Sequence, residues 1–237
     1  LGLRQPAHIV WKKGEAFVDG LRPAIEPLGF GRAEAVLIHR RSHLDKVRAL
    51  LERMNLMIFT FGLTEAWVET SDGTVYPTAA GTVATPVGEA NLAFRNFTTS
   101  ETIADFLAFR ELVQRRNPGC RFLLTVSPVP LTATAGPDHV LVATTYSKSV
   151  LRAAAGELAA TLDDVDYFPS YELISSHVAK GELFDPNLRT VSPQGVKLVM
   201  DTFFSAHPPH ATQQATAAPA PQLDAACEDA LLEAFAR

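Results

Sequence analysis

Leu56-Met57-Ile58-Phe59-Thr60-Phe61-Gly62-Leu63-Thr64-Glu65-Ala66-Trp67 is the stretch on which the fold turns. Its first six residues are almost continuously apolar, as a strand covered on both faces of a sheet must be. Gly62 then permits a sharp turn. Two further runs have the same character: Arg121-Phe122-Leu123-Leu124-Thr125-Val126 and the shorter Val165-Asp166-Tyr167-Phe168.

Helical patterns lie between these strands. Ser42 is expected to cap a helix with Asp45 in its first turn and Leu44, Val47, Leu51 and Met54 along one side. Thr98 and Glu101 have the spacing of a capping box. Ile103, Phe106, Leu107 and Val113 follow at helical spacing until Asn117-Pro118-Gly119 ends the run. Val150, Ala154, Leu158 and Leu162 form an i, i+4 row. After Ser192-Pro193, the stripe Val196, Val199, Met200, Phe203 and Phe204 marks a last helix. This alternation predicts an α/β fold with a mostly parallel sheet and helices on both faces, a three-layer α/β/α arrangement. Residues 1–40 depart from the scheme, because Ile9-Val10-Trp11 and Ala16-Phe17-Val18 around Lys12-Lys13-Gly14-Glu15 predict a hairpin. Residues 69–96 are irregular, with a turn at Asp72-Gly73, and so long an excursion in a compact domain is often functional.

Composition narrows the function classes. The 237 residues carry 21 basic and 26 acidic side chains, a net charge of −5 that argues against a nucleic-acid or anionic-membrane partner. With 47 % hydrophobic residues the chain can bury a sizeable core. Cys120 and Cys227 are too few for a disulfide framework or a zinc site, and no metal or cofactor is expected. No apolar run reaches the roughly 18 residues of a membrane span, and nothing near Leu1 reads as a signal peptide, so a cytoplasmic location is expected. Three regions are expected: a domain over residues 1–206, a Pro/Ala-rich linker over 207–222 starting at His207-Pro208-Pro209-His210, and a short helix over 223–237.

In open α/β sheets ligands bind beyond the carboxyl ends of the strands. After Phe61, Thr64 and Glu65 bring a hydroxyl and a carboxylate to that edge and Trp67 a flat apolar wall; equally, Thr64 caps a turn and Trp67 is core. After Val126, Ser127-Pro128-Val129-Pro130 leads to His139, whose imidazole starts near the pKa a general base needs, and then to Tyr146-Ser147-Lys148. A cation in the first turn after a Thr145 cap opposes the helix dipole, so Lys148 is expected to face an anion such as Glu65, Glu172 or a substrate. After Phe168, Ser170 is expected to cap the next helix, with Tyr171 and Glu172 at the edge. Phosphate-loop, dinucleotide, His-Glu-x-x-His and Gly-x-Ser-x-Gly motifs are all missing from the sequence.

These exits, from Thr60 to Trp67, Thr125 to Leu131, Tyr146 to Lys148 and Tyr167 to Glu172, resemble in order those of the GSCFA domain family, itself similar to SGNH-type hydrolases. The resemblance extends over most of residues 8–206. It implies a three-layer, SGNH-hydrolase- or flavodoxin-like fold and an acyl esterase or acyltransferase acting on an acylated carbohydrate or lipid-linked substrate. The family's Gly-Ser-Cys-Phe-Ala segment, whose serine stands where SGNH enzymes keep their nucleophile, does not occur in this sequence. The expectation is that it precedes Leu1 together with a first βαβ unit. Phe61 to Glu65 falls where SGNH enzymes carry Gly-x-Asn-Asp, so Gly62, Thr64 and Glu65 are expected to shape the oxyanion and substrate edge, Thr64 through its hydroxyl or N–H. Trp67, Tyr146 and Tyr171 would form the walls. Where SGNH enzymes carry Asp-x-x-His, this chain has Asn187 and Thr190, neither of which transfers protons near pH 7, leaving His139 as the expected base. The alternative expectation is an inactive module that binds glycans through Trp67, Tyr76 and Tyr171.

Overall fold

A computed structural model describes residues 4–208. Strands β1 (Val10–Lys13) and β2 (Ala16–Asp19) form the expected hairpin, turning at Gly14 with φ +57°. Helix α1 (Ala33–Leu51) packs against it. Asp19, buried at the end of β2, accepts hydrogen bonds from Arg22 and, at 3.0 and 2.9 Å, from Arg40 of α1. Strands β3 (Leu56–Phe61), β4 (Glu65–Glu69), β5 (Val75–Tyr76), β6 (Thr85–Pro86) and β7 (Leu92–Asn96) follow. Then come α2 (Thr99–Gln114), β8 (Arg121–Val126), α3 (Val140–Thr161), β9 (Val165–Tyr167), α4 (Ser170–Ser175) and α5 (Pro193–Ala206).

The three apolar runs form one parallel sheet in the order β3-β8-β9, with Leu56 opposite Arg121 and Phe61 opposite Val126. On one face Phe122, Leu124 and Val126 meet Phe106 and Val113 of α2 and Leu151, Ala155 and Leu158 of α3. Phe59, Phe61, Phe106, Phe109 and Phe122 pack there mostly edge to face, with centroids 5.5 to 6.4 Å apart. On the other face the hydroxyl of Thr125 meets that of Ser170, and α4 packs on α5. β3 is an edge strand, and Leu56 and Ile58 on it are exposed.

Residues 69–96, irregular in sequence, hold order of their own. β4 lies between β5 and β7 in an antiparallel sheet, and β6 joins the hairpin in the order β2-β1-β6. Trp11 and Tyr76 are fully buried between these layers, their rings 5.1 Å apart. Gly20 is required beside them, because a Cβ there would lie 2.2 Å from the Trp11 indole.

Three expected helix starts are corrected. Ser42 lies inside α1, which begins nine residues earlier because residues 33–41 contain no Gly or Pro and propagate readily. α3 starts at Val140, since the Nδ1 of His139 accepts the Leu141 N–H at 3.2 Å; Thr145 is internal and donates to Leu141 O. Ser170 is the first residue of α4 rather than its cap. α5 follows Ser192-Pro193 as expected, with Ser192 as its cap, and ends at Ala206, so the expected linker, beyond His207 and Pro208, and the helix over 223–237 lie outside the described residues.

The capping box at Thr98 is complete: Glu101 N–H donates to Thr98 Oγ1 at 3.3 Å and Thr98 N–H to Glu101 Oε2 at 2.9 Å. The Thr98 amide and hydroxyl, with Arg95 beside them, hold the Glu101 carboxyl down to about 2 from an ordinary 4.5. A lowered carboxylate contributes stability that is complete above pH 4.5 and lost as pH falls towards 2. Thr98→Ala is expected to cost about 1 kcal/mol in a urea titration at neutral pH. Glu101→Gln is expected to flatten the pH dependence of stability across that acid window.

Candidate active site at the strand exits

The chain leaves β3 through Gly62 and Leu63, both exposed, into Thr64, which is buried. Two buried residues of α3 hold this turn. The N–H of Thr64 donates to Ser147 Oγ at 3.0 Å, and Lys148 Nζ donates to the carbonyl of Gly62 at 2.9 Å. The Thr64 hydroxyl donates to Asn96 Oδ1 at 2.6 Å, and its carbonyl accepts the Phe97 N–H. Thr64 therefore spends both of its donors inside the fold. Among the described residues, the N–H groups of Gly62 and Leu63 donate to no protein acceptor. A Cβ on Gly62 would meet nothing within 4 Å, so space is open beside this backbone. A cleft of about 470 Å³ runs along β3 here, lined by Phe59, Phe61, Gly62, Leu63, Thr64 and Phe106.

Glu65 and Trp67 begin β4 and face the loop after β8. Their cavity, about 160 Å³, includes Leu63, Phe94, Thr132 and Thr134 in its wall, so Leu63 borders both spaces. Thr134 donates to Glu65 Oε1 at 2.6 Å, and Trp67 packs edge to face on its cross-strand neighbour Phe94 at 5.8 Å. Ser127 is part of the turn after β8: its N–H donates to Phe61 O at 2.9 Å, and its Oγ accepts the Val129 N–H at 3.2 Å.

The third exit is a closed cluster. Tyr167 donates to Glu172 Oε2 at 2.7 Å, Arg152 donates to Oε1, and the guanidinium lies 4.2 Å from the Tyr167 ring centroid. Burial pushes the Glu172 carboxyl up, but Arg152 and Tyr167 outweigh it and hold it below its ordinary range. Burial, and then the Glu172 charge, push the Tyr171 phenol up. Tyr171 shares a separate recess with Lys148 and Arg152. Tyr146, partly exposed, lines another recess with Thr98 and Val150.

The structure thus brings Gly62, Thr64 and Lys148 together at one exit and Glu65 and Trp67 together in the adjacent cavity. It places Tyr146, Tyr171 and Glu172 in other recesses. Lys148 sits in the third turn of α3 rather than the first, buried against the Gly62 carbonyl, because the helix starts at His139. Tyr76 is core, its hydroxyl donating to His8 O at 3.0 Å. Asn187 and Thr190 close on one another at 2.9 Å, and Asn187 Oδ1 accepts the N–H groups of Arg189 and Thr190. That loop, with Leu188 at φ +55°, delivers Arg189 to the hydroxyl of Thr132. Among the described residues, His8 is the histidine that meets a buried carboxylate, Glu69, at 3.5 Å. Burial raises the Glu69 carboxyl, and the amides of Ser71 and Asn91 more than reverse the effect.

Ser147, Thr132, Thr134 and Arg189 were not singled out from sequence. Ser147 had a signal, since a serine beside a lysine interrupts the apolar row of a long helix. Arg189 had none, because its contact with Thr132 spans 57 positions. Ser147→Ala leaves the buried Thr64 N–H without its acceptor and is expected to cost about 1–3 kcal/mol, read by chemical denaturation.

No curated protein matches the chain. The model of the GSCFA family matches residues 5–203, and the chain belongs to that family.

Proposed function

We propose that the chain is an SGNH-hydrolase-like domain, three-layered and flavodoxin-like in plan, that processes an acylated carbohydrate or lipid-linked ester as an acyl esterase or acyltransferase. The observation that carries this reading is the open space beside Gly62 at the end of a parallel strand, with the N–H groups of Gly62 and Leu63 donating to no acceptor among the described residues. Such backbone donors suit the oxyanion of a tetrahedral acyl intermediate. Thr64, Ser147 and Lys148 act by fixing the turn that presents them. The nucleophile in this reading is the serine of a Gly-Ser-Cys-Phe-Ala segment, which is not within residues 1–237. That serine passes its proton to the general base as it attacks the ester carbonyl, and the same group returns that proton to the leaving alcohol. Water or a sugar hydroxyl then takes up the acyl group while its own proton goes through the base back to the serine.

A second reading, an inactive glycan-binding or structural module in envelope or polysaccharide assembly, is favoured by the state of the proton-transfer positions. Asn187 and Thr190 bond to each other. His139 Nδ1 accepts the Leu141 N–H, which puts the proton of the neutral ring on Nε2 and leaves no lone pair for a substrate proton. His139 serves as base only when this cap opens.

A chromogenic acetyl-ester assay on the full-length protein separates the readings, with activity expected for the first and none for the second. Gly62→Ala is expected to leave stability unchanged and to lower turnover at least about tenfold by crowding the oxyanion position. His139→Asn keeps a capping side chain and removes the imidazole. Loss of turnover in it identifies His139 as the base, and wild-type turnover removes that role.

A further inference from the structure

We propose that the cavity between β4 and the loop after β8 is a subsite for a single neutral pyranose ring. This deepens the proposed function by naming the carbohydrate half of the substrate, and its link to ester chemistry rests on that reading. The binding chemistry stands on the cavity itself.

Three observations converge. The first is an aromatic platform: Trp67 is half-buried, and Phe94 fixes its indole edge to face at 5.8 Å. An indole face is apolar and suits the C–H face of a sugar ring. The second is a half-used carboxylate. Thr134 occupies Glu65 Oε1, and among the described residues nothing donates to Oε2. A partly buried carboxylate oxygen without a donor is a strong acceptor for a ligand hydroxyl. The third is Thr78, a residue of the same cavity wall whose hydroxyl oxygen is buried with no hydrogen-bond partner among the described residues. Buried polar groups are almost always paired, so an orphan here points to a group that arrives with the ligand. Thr132 adds a hydroxyl already oriented by Arg189.

These features select among ligand classes. An acyl chain would strand Glu65 Oε2 and the Thr78 hydroxyl. An anion would meet the Glu65 charge. A neutral polyol ring satisfies the carboxylate and hydroxyls while stacking on Trp67. The volume of about 160 Å³ is below the roughly 300–1,000 Å³ of pockets for drug-sized ligands, which limits the occupant to a single small ring. Leu63 borders both this cavity and the cleft beside Gly62, so a ring held here lies next to the proposed ester position.

The test titrates the full chain with methyl pyranosides of glucose, galactose, mannose and N-acetylglucosamine, and with sorbitol as a linear polyol. Binding is read by saturation-transfer NMR and by tryptophan emission. The chain has two tryptophans and Trp11 is fully buried, so a change on binding reports Trp67. At least one pyranoside is expected to bind saturably and sorbitol not. Glu65→Gln, which is isosteric and keeps the Thr134 contact, is expected to weaken binding about tenfold or more. Trp67→Leu is expected to abolish it, with the circular-dichroism melt showing that each variant is folded. No binding by any pyranoside up to about 50 mM, where a millimolar Kd still registers, overturns the proposal. Equal binding of sorbitol, or binding unchanged in both variants, does so as well. Acetyl-ester turnover without sugar binding removes the subsite alone, whereas sugar binding without ester turnover removes the esterase and leaves the subsite standing.

Discussion

Two buried polar side chains on α3, Ser147 and Lys148, hold the chain at the point where it leaves β3. Burying a hydroxyl and an ammonium inside a helical layer is costly unless each is bonded. Here Ser147 takes the Thr64 N–H and Lys148 supplies the Gly62 carbonyl. The turn cannot drift from α3 without stranding groups on both sides. Through its hydroxyl and carbonyl, Thr64 also ties the end of β7 to the same point. One constraint thereby positions three elements: the parallel sheet, the helix under it and the antiparallel sheet that starts at Glu65. The entry of Glu65 and Trp67 into their cavity follows from that register, and so does the exposure of Gly62 and Leu63.

Much of this architecture is legible in the sequence where local physics decides it. The apolar runs at Leu56 and Arg121, short and uncharged in their interiors, do pair in parallel, but the first is covered on one face alone, with Leu56 and Ile58 exposed at the sheet edge. Thr98 and Glu101, and Ser192 with Pro193, act at a range of three residues, and both helix starts lie where the spacing predicts. Ser42 and Thr145 misled for the opposite reason. A capping residue is recognisable only where the preceding segment resists helix formation, and residues 33–41 and 140–144 do not. The strand at Glu65 was obscured because β4 is paired on both sides by strands drawn from an irregular-looking stretch, and a Trp67–Phe94 pairing across 27 positions leaves no local trace. The contact of Arg189 with Thr132 is hidden in the same way.

Electrostatics separates the three strand exits into different chemical roles. At the third exit the Glu172 carboxylate, held below its ordinary range by Arg152 and Tyr167, stays ionised at neutral pH and is fully engaged, a structural clamp between α3 and α4. At the first exit Thr64, Ser147 and Lys148 are buried, while Leu63 and the backbone of Gly62 face outward. At the second, Glu65 keeps one oxygen unclaimed beside an aromatic face. Glu65 and Glu172, each expected as an anion that Lys148 could face, are thus kept apart by the fold and engaged by other partners.

The loop over residues 185–192 connects these roles. In the proposed SGNH-like reading its Asn187 and Thr190 take the places of an acid and a base, yet their side chains bond each other and the local amides. These bonds bracket Leu188, which lies in the left-handed region, and the loop sets Arg189 on Thr132, a residue in the wall of the Glu65 cavity. Left-handed backbone at a leucine is costly and persists only where surrounding bonds over-determine it. The bonds around it are made by Asn187 and Thr190, side chains that do not transfer protons near pH 7 whatever they touch. Among the described residues the loop therefore acts as a support for the Glu65 cavity, and in the proposed reading the proton acceptor comes from another part of the protein.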